Sequence, residues 1–187
     1  MKYKALENLK ANKGGFVSGE CISTELGVTR TSVWKYINEL KDEGYKIKSS
    51  SRKGYMLADI PDILNGHEIR YNLNTQILGR EVHYLESIDS TNNYAKHIAS
   101  LGCEDGTLVV ADLQTAGRGR LGRTWDSKPG KGIWMSIVLK PLITPAEIQI
   151  ITLAASVAVV SGLMKTVDIV CGIKWPNDIL LEGKKVC

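Results

Sequence analysis

The sequence predicts an α+β protein, α/β in the broad sense, built as two modules, and three observations predict it. Two short helical patterns separated by a glycine, then two β-like runs, fill the first 60 residues. An apolar strand pattern near the middle runs straight into a loop rich in glycine and arginine. The net charge of +4 sits in the first third: residues 1–60 hold 11 Lys and Arg against 7 Asp and Glu, whereas residues 61–187 hold 13 of each. Such asymmetry suggests a nucleic-acid-facing module joined to a neutral one.

Along the chain, Glu20 to Leu26 can form a short helix with Cys21, Ile22 and Leu26 inward. Gly27 closes it, and Thr29 is placed to cap a second helix. Two helices across so tight a turn read as helix-turn-helix. Val33, Ile37 and Leu40 recur at i, i+4 and i+7 and form the buried stripe of the second helix. Its opposite face offers Arg30, Thr31, Ser32, Trp34, Lys35 and Asn38, side-chain types that bond phosphates and base edges in the major groove. YKIKSSSRKGYML then supplies two short strands around a basic tip, the wing of a winged helix, with Lys48, Arg52 and Lys53 placed for a DNA backbone or minor groove. A protein-binding winged helix with an incidental polar face is the competing reading. Asp59, Pro61 and Asn65-Gly66 are turn signals, and HEIRYNL suggests a short connecting helix. The expected organisation is a DNA-binding domain over 1–60, a linker over 61–80 and a second domain over 81–187.

Composition narrows the function classes. A 187-residue chain with 43% hydrophobic residues can build packed cores. Cys21, Cys103, Cys171 and Cys187 fall at no metal-ligand or C-x-x-C spacing, and His67, His83 and His97 lie apart from them, so reduced structural thiols are expected. MKYKALENLKANKGG carries no apolar run, so neither a secretory signal nor a membrane anchor is expected. ITLAASVAVVSGLM, 14 residues from Ile151 to Met164, is too short to span a bilayer and is expected as a buried helix of a cytoplasmic protein.

Leu108 to Ala116, LVVADLQTA, reads as a buried strand leading into the loop. From Leu113 to Gly132 that stretch holds five glycines and five cationic side chains. GRGRLG fits G-x-G-x-x-G, yet a dinucleotide fingerprint would next open a helix and place an acid about 20 positions on, after a second strand. Pro129, Gly130 and Gly132 forbid that helix, and no Gly-Lys-Ser/Thr completes a phosphate-binding loop of the Walker type. What remains is glycine alternating with Arg118, Arg120 and Arg123, then Lys128 and Lys131 against Asp126. Guanidinium groups grip carboxylate and phosphate through paired hydrogen bonds, and glycines let the backbone close over an anionic ligand. Trp125 is placed to lie on an adenine ring or to fasten the closed loop to the body.

Two further motifs sharpen this. SIDSTNNYAKHIA puts Ser90, Thr91 and Asn92 at a helix start, where hydroxyls and unpaired amides converge. IKWPNDILLEGKKVC presents Lys174, Asn177 and Asp178 before a hairpin-like turn at Glu182-Gly183. Taken singly these are a cap and a strand-to-turn transition. Together, DSTN, QTAGRGRLGRTW, KWPND and GKK in this order resemble the biotin protein ligases. With a winged helix in front, the chain resembles their bifunctional bacterial form, from about Val17 to Cys187.

The resemblance implies a mixed-sheet catalytic domain and a two-step reaction: biotin and MgATP give biotinyl-5′-AMP, then a lysine of biotin carboxyl carrier protein takes the biotinyl group. It implies that Ser90, Thr91, Asn92, Gln114, Gly117, Arg118, Gly119, Arg120 and Lys185 hold biotin, with Arg118 and Lys185 at the reacting carboxylate and Lys184 the weaker candidate. It assigns Arg120, Arg123, Trp125, Lys174, Asn177 and Asp178 to the nucleotide, with Asp178 a contact for Mg²⁺. It further implies a liganded homodimer on operator DNA and no membrane partner. Family members continue past GKKVC, so the resemblance implies an incomplete catalytic domain with an exposed sheet edge and activity that is weak or absent. A sensor that binds biotin or its adenylate without turnover, and a lipoate or octanoate transferase, are the alternatives. The GRGR loop and the winged helix argue against the transferase.

Overall fold

The computed structural model describes residues 1–71, 73–119 and 123–187. Its contacts gather into two compact units, 1–139 and 140–187.

The first unit begins with α1 (Lys2–Ala11), α2 (Gly19–Leu26) and α3 (Arg30–Asp42). Each turn has a local cause. The Ser18 hydroxyl accepts from the Cys21 amide at the start of α2, Gly27 ends it in the left-handed region at φ 63°, and Thr29 Oγ1 accepts from the Ser32 amide to start α3. Val33, Ile37 and Leu40 are fully buried, as their spacing predicts, against Ala5, Leu6 and Leu9 of α1 and Ile22 of α2. Cys21 was expected inward and is instead exposed. Ile22 and Ser23 take the core-facing positions of α2, which puts Cys21 on the outer side of a helix too short to bury both.

Strands β1 (Lys46–Ser50) and β2 (Gly54–Asp59) pair antiparallel as the wing, and Val17 joins them through a bridge to Tyr55. Gly54 has to be glycine: its φ is 93°, and a Cβ there would stand 2.1 Å from the Val17 carbonyl oxygen. After the wing comes the expected connecting helix, α4 (Gly66–Arg70), capped by Asn65, whose Oδ1 accepts from the His67 and Glu68 amides.

Glu68 ties this helix to the helices before it. Lys10 Nζ lies 2.8 and 2.7 Å from its two carboxylate oxygens, and the Tyr45 hydroxyl donates at 2.5 Å. Lys10 also lies 3.9 Å from the centroid of the Tyr71 ring. His67 stacks on Tyr3 at 4.4 Å between ring centroids.

The rest of the first unit is a mixed sheet, as expected, in the order β3 (Val82–Ile88), β4 (Leu108–Gln114), β5 (Trp134–Ile137). β3 and β4 run parallel, joined by the crossover helix α5 (Thr91–Ser100), and β5 returns antiparallel to β4. Val109, Val110 and Ala111 are buried on the central strand, and Val109 and Val138 pack with Ala95 and Ile98 of α5.

The second unit holds α6 (Ile148–Val167) and the antiparallel strands β6 (Gly172–Lys174), β7 (Asp178–Leu181) and β8 (Lys184–Lys185). The expected turn is present, with Glu182 at φ 49° and Gly183 at φ 78°, the two left-handed residues of a tight hairpin. The expected buried 14-residue helix is corrected on both counts. α6 runs for 20 residues, because Ile148 to Ile150 and Lys165 to Val167 extend it at both ends, and it is long and apolar enough to cross a membrane by length and composition. Within its own unit α6 packs on β6 and β7, and its only buried residue is Ser156.

Candidate functional site

The crossover from β3 to β4 places the DSTN motif beside the strand that enters the glycine loop. Ser90 is the N-cap of α5 and Thr91 its first residue, and both are almost fully buried. Gln114, the last residue of β4, reaches across: its Oε1 accepts from the Thr91 amide at 2.8 Å and from Thr91 Oγ1 at 3.0 Å. Thr91 Oγ1 also lies 2.9 Å from Ser136 Oγ on β5, and Gln114 Nε2 donates to Ser127 Oγ at 2.9 Å. Four backbone segments, the start of α5, the end of β4, β5 and the loop between the two strands, therefore meet in one hydrogen-bonded chain of side chains. Ser127 and Ser136 were not singled out from sequence. The alternating exposure of WMSI on β5 is the one signal that marks Ser136, and nothing local marks Ser127.

The loop folds back on this chain. The Trp125 amide donates to the Gly117 carbonyl at 2.9 Å, the Gly119 amide to the Arg123 carbonyl at 2.8 Å, and Arg118 bridges Thr124. A Cβ on Gly117 would stand 2.5 Å from the Trp125 oxygen and 2.6 Å from Ser127 Oγ, so a side chain is excluded by backbone as well as by hydroxyl. A cavity of about 290 Å³ opens here between Gln114, Gly117, Trp125 and Ser127. Arg118 and Arg123, next in the chain to the lining residues Gly117 and Thr124, are exposed and Asn92 lies on the outer side of α5, while Arg120 lies outside the described residues. Asp89, ahead of the helix, is held below the usual carboxylate range by the Asn93 amide and backbone amides, with Arg118 adding to the effect.

In the second unit the KWPND and GKK motifs converge. Lys185 Nζ donates to Asp178 Oδ1 at 2.6 Å, and Asn177 Nδ2 lies 3.2 Å from the same oxygen. Antiparallel pairing sets Lys174 opposite Asp178 and Leu180 opposite Lys185. A cation and a carboxylate thus stand side by side on a short hairpin, with Lys174 exposed at its edge. The pairing of strands, and not sequence proximity, brings Asp178 to Lys185.

The winged helix carries the third group. A groove of about 410 Å³ runs between α3 and the wing, lined by Arg30, Trp34, Asn38, Lys41, Ser49 and Arg52. Trp34 is 59% exposed on the open face of α3. Lys41 Nζ donates to Ser49 Oγ at 2.9 Å, linking helix to wing. Thr31 and Lys35 are exposed beside the groove, Ser32 is engaged with Thr29 at the helix start, and Lys53 lies 5.9 Å from the Phe16 ring centroid. This charged, concave face between a helix and a wing suits a polyanion.

Comparison with known proteins finds two family matches along the chain. The model of the Biotin/lipoate A/B protein ligase family matches residues 84–187, and that of an HTH domain residues 2–56. Bifunctional ligase/repressor BirA of Bacillus spizizenii is 49% identical over 170 residues, covering 91% of this chain and 52% of that protein. The protein of the same name from Escherichia coli is 33% identical over 174 residues, covering 92% of this chain and 52% of that one. Among solved structures, biotin protein ligase from Aquifex aeolicus in complex with biotin and ATP is 36% identical with a TM-score of 0.50, over 57% of this chain and 44% of that one. The chain spans about half the length of the curated relatives it matches.

Proposed function

Because this chain belongs to the biotin/lipoate A/B protein ligase family, we propose that it activates biotin with ATP, transfers the biotinyl group to a lysine of biotin carboxyl carrier protein, and represses a biotin operon as the liganded dimer. The observation that carries the reading is the pair of Thr91–Gln114 hydrogen bonds, which join the DSTN and QTAGRGR motifs into one polar site beside a cavity. The relatives' names and the biotin and ATP of the Aquifex complex support it. The domain over 1–60 serves DNA, 61–80 connects, and 81–187 carries the chemistry, all in the cytoplasm. The packing of α6 on β6 and β7 supports a role inside a folded domain.

In the first step the biotin carboxylate oxygen attacks the α-phosphorus of ATP, forming the acyl-phosphate bond of biotinyl-5′-AMP and expelling pyrophosphate. In the second the carrier lysine, as the free amine, attacks the acyl carbon, forms the amide and expels AMP. Ser90, Thr91, Asn92, Gln114, Gly117 and Gly119 supply hydroxyls, amides and backbone groups suited to a ureido ring. Arg118, Arg120 and Lys185 supply the fixed positive charge that two anions need in order to meet. Arg123, Lys174 and Asn177 take phosphate and Trp125 the adenine face. Among the described residues no three His, Cys, Asp or Glu side chains gather, and Asp178 would be the protein contact for Mg²⁺ brought with the nucleotide. When bound, that ion neutralises phosphate charge. A loop closed over the adenylate keeps water from the activated acyl group.

Calorimetric titration of the 187-residue chain with biotin, then with ATP and Mg²⁺, tests the reading while pyrophosphate is assayed. Binding with pyrophosphate release supports the ligase reading. Binding without release would replace the ligase by a sensor, and no binding of biotin would overturn the proposal. Sedimentation with and without biotinyl-5′-AMP tests the dimer: a monomer under both conditions removes that part.

A further inference from the structure

Ser127 lies in the loop between β4 and β5, 2% exposed, and no motif accounts for it. Its surroundings leave little freedom. Ser127 Oγ accepts from Gln114 Nε2 at 2.9 Å and donates to the Trp125 carbonyl at 3.2 Å, while the Ser127 carbonyl accepts from the Gln114 amide at 3.1 Å. The Gly117 Cα packs against the same hydroxyl, since a Cβ there would come within 2.6 Å of it. One buried side chain therefore touches the amide of Gln114, the glycine that opens the loop, and the carbonyl of the tryptophan at its far side.

A primary amide has no intrinsic preference for which end faces which neighbour; its partners decide. Here Thr91 provides two donors to one end, so Oε1 must face Thr91, and Ser127 Oγ is the acceptor that receives the other end. Without that hydroxyl a half-buried N–H loses its partner and the amide loses one of the two contacts that orient it. The loop stem loses one of its ties to Trp125 as well, the bond from the Trp125 amide to the Gly117 carbonyl remaining.

We infer that Ser127 is a positioning residue of the biotin site, orienting Gln114 and holding the stem of the glycine loop in the shape that receives ligand. This rests on the function proposed above. Ser127 acts through Gln114 and has no role at the reacting atoms, so its removal weakens biotin binding and leaves turnover at saturating biotin nearly unchanged.

The test is a double-mutant cycle on the full chain, read by biotin titration. Ser127→Ala is expected to weaken binding about five- to tenfold, the cost of stranding one half-buried donor. Ser127→Thr, which keeps the hydroxyl, is expected to restore most of it. In a Gln114→Ala background the Ser127→Ala effect is expected to fall below about twofold, which general loosening of the fold would not produce. If Ser127→Ala does not fold, Ser127→Cys, close in volume and a weaker acceptor, carries the same cycle. Failure of the parent chain to bind biotin overturns the functional reading and the inference with it. Parent binding with an unchanged Ser127→Ala, or an undiminished effect in the Gln114→Ala background, overturns this inference alone.

Discussion

Lys185 and Asp178 form an ion pair with side chains 43% and 30% exposed, too open for the pair to add much stability. The role proposed for them is chemical: the lysine stands beside a carboxylate on a hairpin, which holds its charge at a fixed place. Lys185→Gln is expected to leave thermal unfolding nearly unchanged while slowing pyrophosphate release by about a hundredfold or more, the usual cost of removing one fixed group that stabilises developing charge. Gly117 gives the opposite pattern. Gly117→Ala forces a Cβ into the Trp125 carbonyl, which backbone movement alone can relieve, so both stability, by about 1–3 kcal/mol, and biotin binding are expected to fall. Thermal unfolding and biotin titration of the two variants separate these roles. His67 adds a pH dependence. It is buried, which lowers its pKa below the ordinary 6.5, so the folded chain prefers neutral imidazole. The unfolded chain then takes up the proton first as pH falls, and stability present above about pH 6.5 is lost below it, down to the folded pKa. Melting temperatures at about pH 7.5 and about pH 5.5 should show this loss in the parent chain, and a smaller one in His67→Phe, which keeps a ring on Tyr3.

Helix and strand boundaries in the first 60 residues follow from local chemistry: Ser18, Gly27 and Thr29 start and stop the helices, and Gly54 turns the wing. The two glycines do not carry equal weight. Gly27 has φ 63° with nothing within 4 Å of an added Cβ, so Gly27→Ala is expected to cost about 1 kcal/mol of left-handed strain. Gly54 has the strain and a 2.1 Å collision with Val17 as well, so Gly54→Ala is expected to cost more than twice as much and to weaken DNA binding by displacing the wing. Denaturant unfolding ranks the pair, and equal costs would mean that the Val17 bridge gives way freely. Four features escaped the reading of the sequence: α1, whose Ala5, Leu6 and Leu9 complete the core of the winged helix, the strands β3 and β5 on either side of β4, and the full 20-residue length of α6. The polar residues between them hide the apolar positions of α1 from any search for continuous runs, and helix ends are the least marked part of an apolar stretch.

Across the molecule, the Lys10–Glu68 pair fastens α4 to the helical core in front of it. Burial raises the Glu68 pKa, but the Lys10 and Tyr45 hydrogen bonds outweigh it and hold the carboxyl below its usual range. Lys10→Met leaves that carboxylate half-buried beside Tyr45 without its cation, and a stability loss of about 1–3 kcal/mol is expected, less than for a fully buried pair because Glu68 keeps some solvent. DNA binding by the groove between α3 and the wing is expected to weaken steeply with salt, and Arg30→Ala or Arg52→Ala to lower the slope of log affinity against log salt by about one if each meets a phosphate.

Periodicity and turn chemistry alone specify the winged helix, its buried stripe Val33, Ile37 and Leu40, and the order of motifs in the second part of the chain, because each is written in neighbouring residues. The glycine and arginine of GRGRLG, from which an anion site is proposed, are legible in the same way. Cys21 faces outward and Ser127 faces inward for reasons that lie elsewhere in the chain: the burial of Ile22 and Ser23 against other helices, and the arrival of Gln114 from a different strand. The approach of Lys185 to Asp178, of Thr91 to Gln114 and of Lys10 to Glu68 likewise belongs to folding, since strand pairing and helix packing bring together side chains that local sequence leaves apart.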